Sequence, residues 1–540
     1  VRNTPLFYNI LIIGIAALLF IPFLGYVNLF DWDEINFAEC AREMIVSHDF
    51  STVQINFEPF WEKPPLFIWM QAFSMLIFGV NEFAARFPNA VCGIVTLIVL
   101  FNVGRKVYDD RFGLAWCLAF AGSLLPHFYF KSGIIDPWFN LFIFLGIYRF
   151  ILYTNDTQKT RNICLSALFI GLAILTKGPV ALIIFFLCAG IYALLKRFRS
   201  FITVKDALLF LLVLCAVGGS WFMLLLAQGK ADVILAFLRY QARLFSTEDA
   251  GHGGPFYYHF VVLLVGCFPA SVFAIRALSR SMDTPFHRHF KRWMIILFLV
   301  VLTLFTIVQT KIIHYSSLCW FPLSYLAAYS VYKLSNGELQ WKKWMSWAML
   351  IIGIILGTAF TLIQFVDHYK ERIISSDLIK DPFAVENLKA QVNWTGYEFL
   401  VGLLFLAGIF TCTFIAPRRK YSLAMIFLFF IMLITTNLAT IIFAPKIEKY
   451  TQAAAIDFYE GLKGRDCYVE TLYFKSYANM FYARTKEKQD EGFMLSGPLT
   501  KPAYFVSKII DADKVRQEHP QLTEVGRKNG FVFWERLPAP

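Results

Sequence analysis

LFYNILIIGIAALLFIPFLGYV, residues 6–27, runs directly into NLFDWDEINFAECAREM, residues 28–44. The first stretch carries no charged side chain and is long enough to cross a bilayer, which takes roughly 20 apolar residues as a helix. It lacks a small-x-small cleavage site and so reads as a retained first helix rather than a signal peptide. The second stretch places Asp31, Asp33, Glu34, Glu39, Arg42 and Glu43 right where the chain leaves the apolar phase. A membrane span ending in a dense acidic cluster sets the question for the rest of the chain.

Composition answers the first part of it. Of 540 residues, 58% are hydrophobic and only 16% charged, with 58 phenylalanines. A water-soluble domain has no place to bury so much apolar surface, whereas a bilayer solvates it. The net charge of +12 does not point to nucleic acid, because the cations sit mostly in short connections between apolar runs. Most of the ten cysteines lie inside such runs and act as small hydrophobes; only Cys40 and Cys467 lie outside, leaving one pairing open.

Apolar stretches recur near 7–27, 87–103, 113–130, 134–153, 162–176, 178–195, 206–227, 256–275, 293–309, 312–332, 344–366, 396–415 and 421–444, about thirteen spans. Every second connection is basic: Arg105, Lys106 and Arg111; Arg149, Lys159 and Arg161; Lys196, Arg197, Arg199 and Lys205; then Arg276 to Arg292, Lys333 to Lys343, and Arg418 to Lys420. This is the positive-inside pattern, which puts those connections and the N-terminus in the cytoplasm. The loop 28–86 and everything after 445 are then external. Amphipathic pieces at 34–48 and 65–78 read as helices lying at the interface. The expected architecture is an all-α polytopic membrane unit, 1–444, followed by a small external α/β domain, 445–540.

Five groups of residues could carry chemistry. Asp31 and Glu34 suit a helix start, which accounts for them structurally; Asp33 is a third acid with no capping need and suits a general base for an incoming hydroxyl. Lys63, in Glu62-Lys63-Pro64-Pro65, is either a snorkelling lysine or a phosphate ligand. Lys177, in Thr176-Lys177-Gly178-Pro179, divides two apolar runs with almost no loop, a costly place for a cation without an anionic partner or a wet cavity. Asp136, before Pro137, is either a helix cap or a second site acid. External rings and cations cluster around Tyr240, Arg243 and His252, and again at Lys311, His314 and Tyr315. Carboxylates for proton abstraction and cations for a phosphate leaving group suit an anionic lipid phosphate as substrate. The chain contains neither a Walker loop nor a GxGxxG turn for a soluble nucleotide.

In combination these motifs resemble the GT-C membrane glycosyltransferases, most closely the bacterial aminoarabinose lipid A transferases and the protein O-mannosyltransferases. The resembling residues are Asp33-Glu34 with Phe37-Ala38-Glu39 and Arg42-Glu43-Met44, then Glu62-Lys63-Pro64-Pro65-Leu66, Asp136-Pro137 and Thr176-Lys177-Gly178. The resemblance implies the GT-C fold and inverting transfer of a sugar from an undecaprenyl or other polyprenyl phosphate to an acceptor outside the cytoplasmic membrane, lipid A first among them. It implies Asp33, with Glu34 and Asp136, as catalytic acids. Lys63, Lys177, Arg243 and Tyr315 become donor-phosphate contacts, and Glu62 with His252 become ligands of a structural zinc, although tetrahedral zinc wants more donors than two. His314-Tyr315 departs from the family by replacing a Pro-containing stretch. A relative acting on protein or on another envelope lipid is the alternative within the enzymes. A lipid-linked-sugar flippase is the alternative outside them, and that would need a site near the membrane midplane.

Overall fold

The structure is a computed structural model and describes residues 4–155, 158–198, 202–246, 253–279, 283–415 and 421–538. Helix α1 (Thr4–Phe20) occupies the first apolar run, and α2 (Asp33–Ser47) holds the acidic cluster. A two-stranded hairpin, β1 (Gln54–Ile55) and β2 (Glu58–Pro59), leads to α3 (Leu66–Phe78) and the long α4 (Glu82–Val107). Asn81 caps α4 by accepting from the amide of Ala84, and Glu82 opposite Arg105 and Lys106 complements the helix dipole. Then follow α5 (Asp110–Ala121), α6 (Leu124–Tyr129), α7 (Asp136–Thr154), α8 (Lys159–Lys177) and α9 (Val180–Leu195).

After α9 come α10 (Val204–Gly218), α11 (Ser220–Ala227), α12 (Ala231–Ser246), α13 (Tyr258–Gly266), α14 (Ala270–Arg276), α15 (Pro285–Ile307), a 3₁₀ segment over Ile313–Cys319, α16 (Trp320–Ser335) and α17 (Lys343–Leu362). Helices Phe399–Ile415 and Tyr421–Ile442 complete the bundle. Each of the thirteen apolar runs holds helix. By length and composition six helices among the described residues are able to cross a membrane, or eight counting the pairs α10–α11 and α13–α14, which bend by 55° and 107°. Leu18, Phe186, Leu212, Ile307, Trp347 and Phe414 stand exposed on the outside of the bundle, where lipid would cover them. All ten cysteines are free, so the open Cys40–Cys467 pairing is not made.

The C-terminal segment forms a four-stranded sheet from β3 (Tyr468–Leu472), β4 (Ala503–Lys508), β5 (Thr523–Lys528) and β6 (Phe531–Arg536), in the order β3-β4-β6-β5. Strands β3 and β4 run parallel and the other pairings are antiparallel. Leu472, Phe505, Val515, Val532 and Trp534 make a core of their own. A second cluster joins this segment to the first loop: Ile35, Ala38 and Met44 of α2 pack with Ile456, Tyr459, Phe481, Val506 and Phe531.

That cluster corrects one expectation. Helix α2 is not a helix lying in the lipid interface; its residues from Glu34 to Met44 are buried beneath the C-terminal segment. Its polar side chains are paired internally, which lets them enter a protein core. Arg42 donates to Glu39 through Nε at 2.7 Å and Nη2 at 2.6 Å, and reaches the carbonyl of Thr485 at 2.7 Å. Helix α3 keeps Phe73, Leu76 and Ile77 exposed.

Candidate active site

One cavity of about 1000 Å³ opens where α2, α7, α8, α12, the 3₁₀ segment and the C-terminal segment meet. It brings together Asp33, Lys63, Asp136, Lys177, Arg243 and Tyr315, along with Glu34 and Glu62, from stretches almost three hundred residues apart. Phe128, Val180, Ile184, Phe305, Ile312 and Ile441 give it an apolar flank.

Local structure explains why Lys177 points there. Helix α8 ends on Lys177 because Gly178 takes φ +111°, and Pro179 occupies the N-cap position just before α9. A Cβ at Gly178 would also lie 2.9 Å from the ring of Phe237. The ammonium of Lys177 therefore stays at the helix end, 2.6 Å from Asp136 Oδ1 on the first turn of α7 and above the ring of Tyr315 at 5.4 Å. Asp136 is 4% and Lys177 14% exposed, so each supplies the charge that makes the other tolerable in a core.

Lys63 lies over the ring of Tyr240 at 5.2 Å and makes no ion pair among the described residues. Burial holds its ammonium below the usual lysine range; Glu62 and Asp33 pull it back up, and Lys177 pushes it further down. Lys63 and Lys177 thus face one cavity, Lys177 balanced by Asp136 and Lys63 without an ion pair among the described residues. Tyr240 and Arg243 reach the cavity on α12, a sharply sided helix that carries Phe237 and Tyr240 inward and Leu235 and Leu238 outward. Arg243 is exposed and sits over the Tyr240 ring at 5.2 Å.

The two adjacent acids of α2 have different surroundings. Asp33 is partly exposed, with its Oδ2 3.7 Å from Nε2 of His314. Glu34 is 5% exposed and fully engaged: it accepts from Arg86 Nε at 2.9 Å, Arg86 Nη2 at 2.7 Å, and the amides of Phe30 and Gly133. Those bonds tie α2 to α4 and to the turn before α7, so Glu34 holds the frame and Asp33 faces the void. The geometry thus separates two acids that the sequence placed in one catalytic group. Asp31, accessible at the rim yet surrounded by protein, is pushed up to about 6 by desolvation and by Asp33, against a hydrogen bond from Ser476.

For the zinc expectation, Glu62 accepts from the Tyr240 hydroxyl at 3.1 Å, and His252 lies outside the described residues. No group of three or more His, Cys, Asp or Glu able to hold a metal ion occurs among the described residues.

Sequence reading missed three contributors. Lys475, from the C-terminal segment, lines the cavity and stacks over Trp32 at 5.4 Å and Tyr477 at 5.3 Å. Lys131 donates to the carbonyls of Leu19 and Pro22 at 3.0 and 3.1 Å, capping the end of α1 at the cavity wall. Arg86 anchors Glu34 and also donates to the carbonyls of Leu24, Val27 and Asn28. Only Arg86 had a visible signal: a cation at the mouth of a span has to be paired.

Residues 62–221 match the sequence profile of dolichyl-phosphate-mannose-protein mannosyltransferases. Over 376 residues the chain is 26% identical to the undecaprenyl phosphate-alpha-4-amino-4-deoxy-L-arabinose arabinosyl transferase of Wigglesworthia glossinidia brevipalpis, covering 69% of this chain and 66% of that one. The protein of the same name from Shewanella sediminis is 26% identical over 344 residues, 62% of this chain and 60% of its own. The chain therefore spans somewhat under two thirds of the length of these curated relatives. The crystal structure of ArnT from Cupriavidus metallidurans bound to undecaprenyl phosphate matches with a TM-score of 0.79 at 17% identity, over 99% of both chains. The apo oligosaccharyltransferase of Archaeoglobus fulgidus matches with a TM-score of 0.51 at 11% identity, over 94% of this chain and 70% of its own.

Proposed function

We propose, from the premise that this chain is a multi-pass membrane glycosyltransferase of the GT-C family, that it moves a sugar from a polyprenyl phosphate to an acceptor at the outer face of the bacterial cytoplasmic membrane. The names of the aminoarabinose-transferase relatives and the ArnT structure bound to undecaprenyl phosphate support undecaprenyl phosphate as carrier and 4-amino-4-deoxy-L-arabinose as sugar; lipid A is the acceptor that the resemblance of the motifs implies. The carrying observation is the cavity itself: a partly exposed acid, Asp33, faces two cations, Lys63 and Lys177, across a space with an apolar flank suited to a prenyl tail. In this reading the thirteen helix-bearing runs each cross once. The N-terminus then lies in the cytoplasm and the segment from 445 onward in the periplasm.

The acceptor oxygen attacks the anomeric carbon from the face opposite the phosphate, and Asp33 takes the proton of an acceptor hydroxyl. The bond from anomeric carbon to phosphate oxygen breaks, and Lys63 and Lys177 hold the charge that gathers on the departing lipid phosphate. Lys475 and Trp32 form the acceptor wall. A protein hydroxyl is the second reading, favoured by the match of residues 62–221 to protein mannosyltransferases. A flippase reading finds no support in the cavity's charged groups, which come from helix ends and loops and not from the middle of spans.

Mass spectrometry of envelope lipids and proteins from cells with and without the gene tests the proposal. Loss of an aminopentose from lipid A is the expected result. Loss of a hexose from protein supports the second reading, and unchanged lipids and proteins contradict both.

A further inference from the structure

The proposed reaction needs one oxygen of Asp33 aimed at the acceptor, and the cavity holds a group placed to do the aiming. Of the acids lining the cavity, Asp136 is taken by Lys177 at 2.6 Å and Glu62 accepts from the Tyr240 hydroxyl at 3.1 Å. Asp33 has one ionisable donor within 4 Å among the described residues, Nε2 of His314, 3.7 Å from its Oδ2. His314 is 15% exposed on the 3₁₀ segment Ile313–Cys319, which fixes its backbone by accepting the Ser317 hydroxyl at its carbonyl. Its ring packs edge-on against Tyr315, which packs in turn on Phe305 of α15. The charged and titratable groups around it are Asp33 from α2, Asp136 from α7, Lys177 from α8, Lys63 from the first loop and His259 from α13.

We propose that His314 is a positioning residue for the transfer: its Nε2–H holds Oδ2 of Asp33 and leaves Oδ1 free to take the acceptor's proton. A separation of 3.7 Å exceeds a formed hydrogen bond, and such contacts in unliganded sites tighten when substrate closes the pocket. Fixing the carboxylate removes a rotation that would otherwise spend the base on unproductive orientations, an effect that reaches about 10²-fold for a misplacement of roughly 1 Å. His314 forms no bond to either substrate. The new bond joins the acceptor oxygen to the anomeric carbon, the broken bond leaves the electron pair on the lipid phosphate, and the proton ends on Asp33.

The inference rests on the proposed function, and the experiment separates the two. Purified wild type, Asp33→Asn, His314→Ala and His314→Gln are assayed with undecaprenyl phosphate-linked 4-amino-4-deoxy-L-arabinose and lipid A, with thermal unfolding in detergent as the folding check. His314→Ala is expected to lower kcat about 10²-fold with the donor KM little changed. His314→Gln keeps an N–H donor and should recover most of the turnover. A His314→Ala enzyme with wild-type kcat overturns the inference, and so does a loss confined to the donor KM. If His314→Ala fails to fold, the Gln variant decides: low turnover in a folded His314→Gln protein overturns the inference. Activity retained by Asp33→Asn instead overturns the proposed function.

Discussion

Replacing Glu34 by Gln separates the frame of the site from its chemistry. Glu34 and Arg86 are 6% and 5% exposed at their side chains, and Glu34 accepts four hydrogen bonds, two of them from Arg86. Removing one partner of a buried pair costs about 3–5 kcal/mol, because the surviving charge is left without compensation. Arg86 would keep its bonds to the carbonyls of Leu24, Val27 and Asn28. That residual solvation puts the expected loss at the lower end, about 3 kcal/mol. Reversible unfolding in mixed micelles measures it. A Glu34→Gln/Arg86→Met double variant should lose less than the sum of its singles, by at least about 1 kcal/mol.

The pH dependence has a definite sign. Burial alone would raise the Glu34 carboxyl, but Arg86 and the amides of Phe30 and Gly133 outweigh it and hold it below its ordinary value. Its contribution is therefore full above the unfolded value of about 4.3 and lost as pH falls through the lower folded value. Glu34→Gln should flatten that acid-side loss. Unchanged unfolding free energy in Glu34→Gln would refute the frame role. Complete loss of turnover at wild-type stability would refute it as well, since it would place Glu34 in the chemistry.

Lys177→Ala leaves Asp136 buried beside an empty cationic position; it should lose about 3 kcal/mol or more in the same unfolding assay and raise the donor KM, and Lys177→Ala/Asp136→Asn should regain stability but not donor use. Glu43 accepts from the amides of Asn56 and Phe57, while burial and its neighbour Glu39 push its carboxyl up to about 9. The folded state then holds a proton that the unfolded state releases, so stability should fall as pH rises from about 4.5 toward 9. Glu43→Gln should remove that slope in pH-dependent unfolding, and an unaltered slope would count against it. Lys475→Gln should raise the KM for an anionic acceptor about tenfold without touching the donor KM, a split that steady-state kinetics with each substrate varied will read.

The membrane part was legible because its signal is local. Thirteen apolar runs, each bounded by charge or turn residues, all hold helix, and Lys177 announced itself by standing between two of them. Asp136 was visible too, but its pairing with Lys177 was not, since nothing in either stretch names a partner 41 positions away. Helix α2 was read as a helix lying at the interface because the stretch 34–48 is amphipathic, with Glu39, Arg42 and Glu43 among its polar residues. What buries them is a C-terminal segment more than four hundred residues on, where Thr485 receives Arg42. Lys475 escaped for the same reason: a lysine in a polar segment carries no local mark of the cavity it faces. The difference between Asp33 and Glu34 also lies beyond pattern reading, since it depends on which carboxylate Arg86 reaches across the first loop.

Purified protein in nanodiscs, given undecaprenyl phosphate-linked 4-amino-4-deoxy-L-arabinose and lipid A, tests the central claim most directly when wild type and Asp33→Asn are run side by side. Wild type should add one aminopentose to lipid A, and Asp33→Asn, equally folded, should be slower by about 10²-fold or more. Equal product from both proteins would contradict the account, as would no product from a folded wild type.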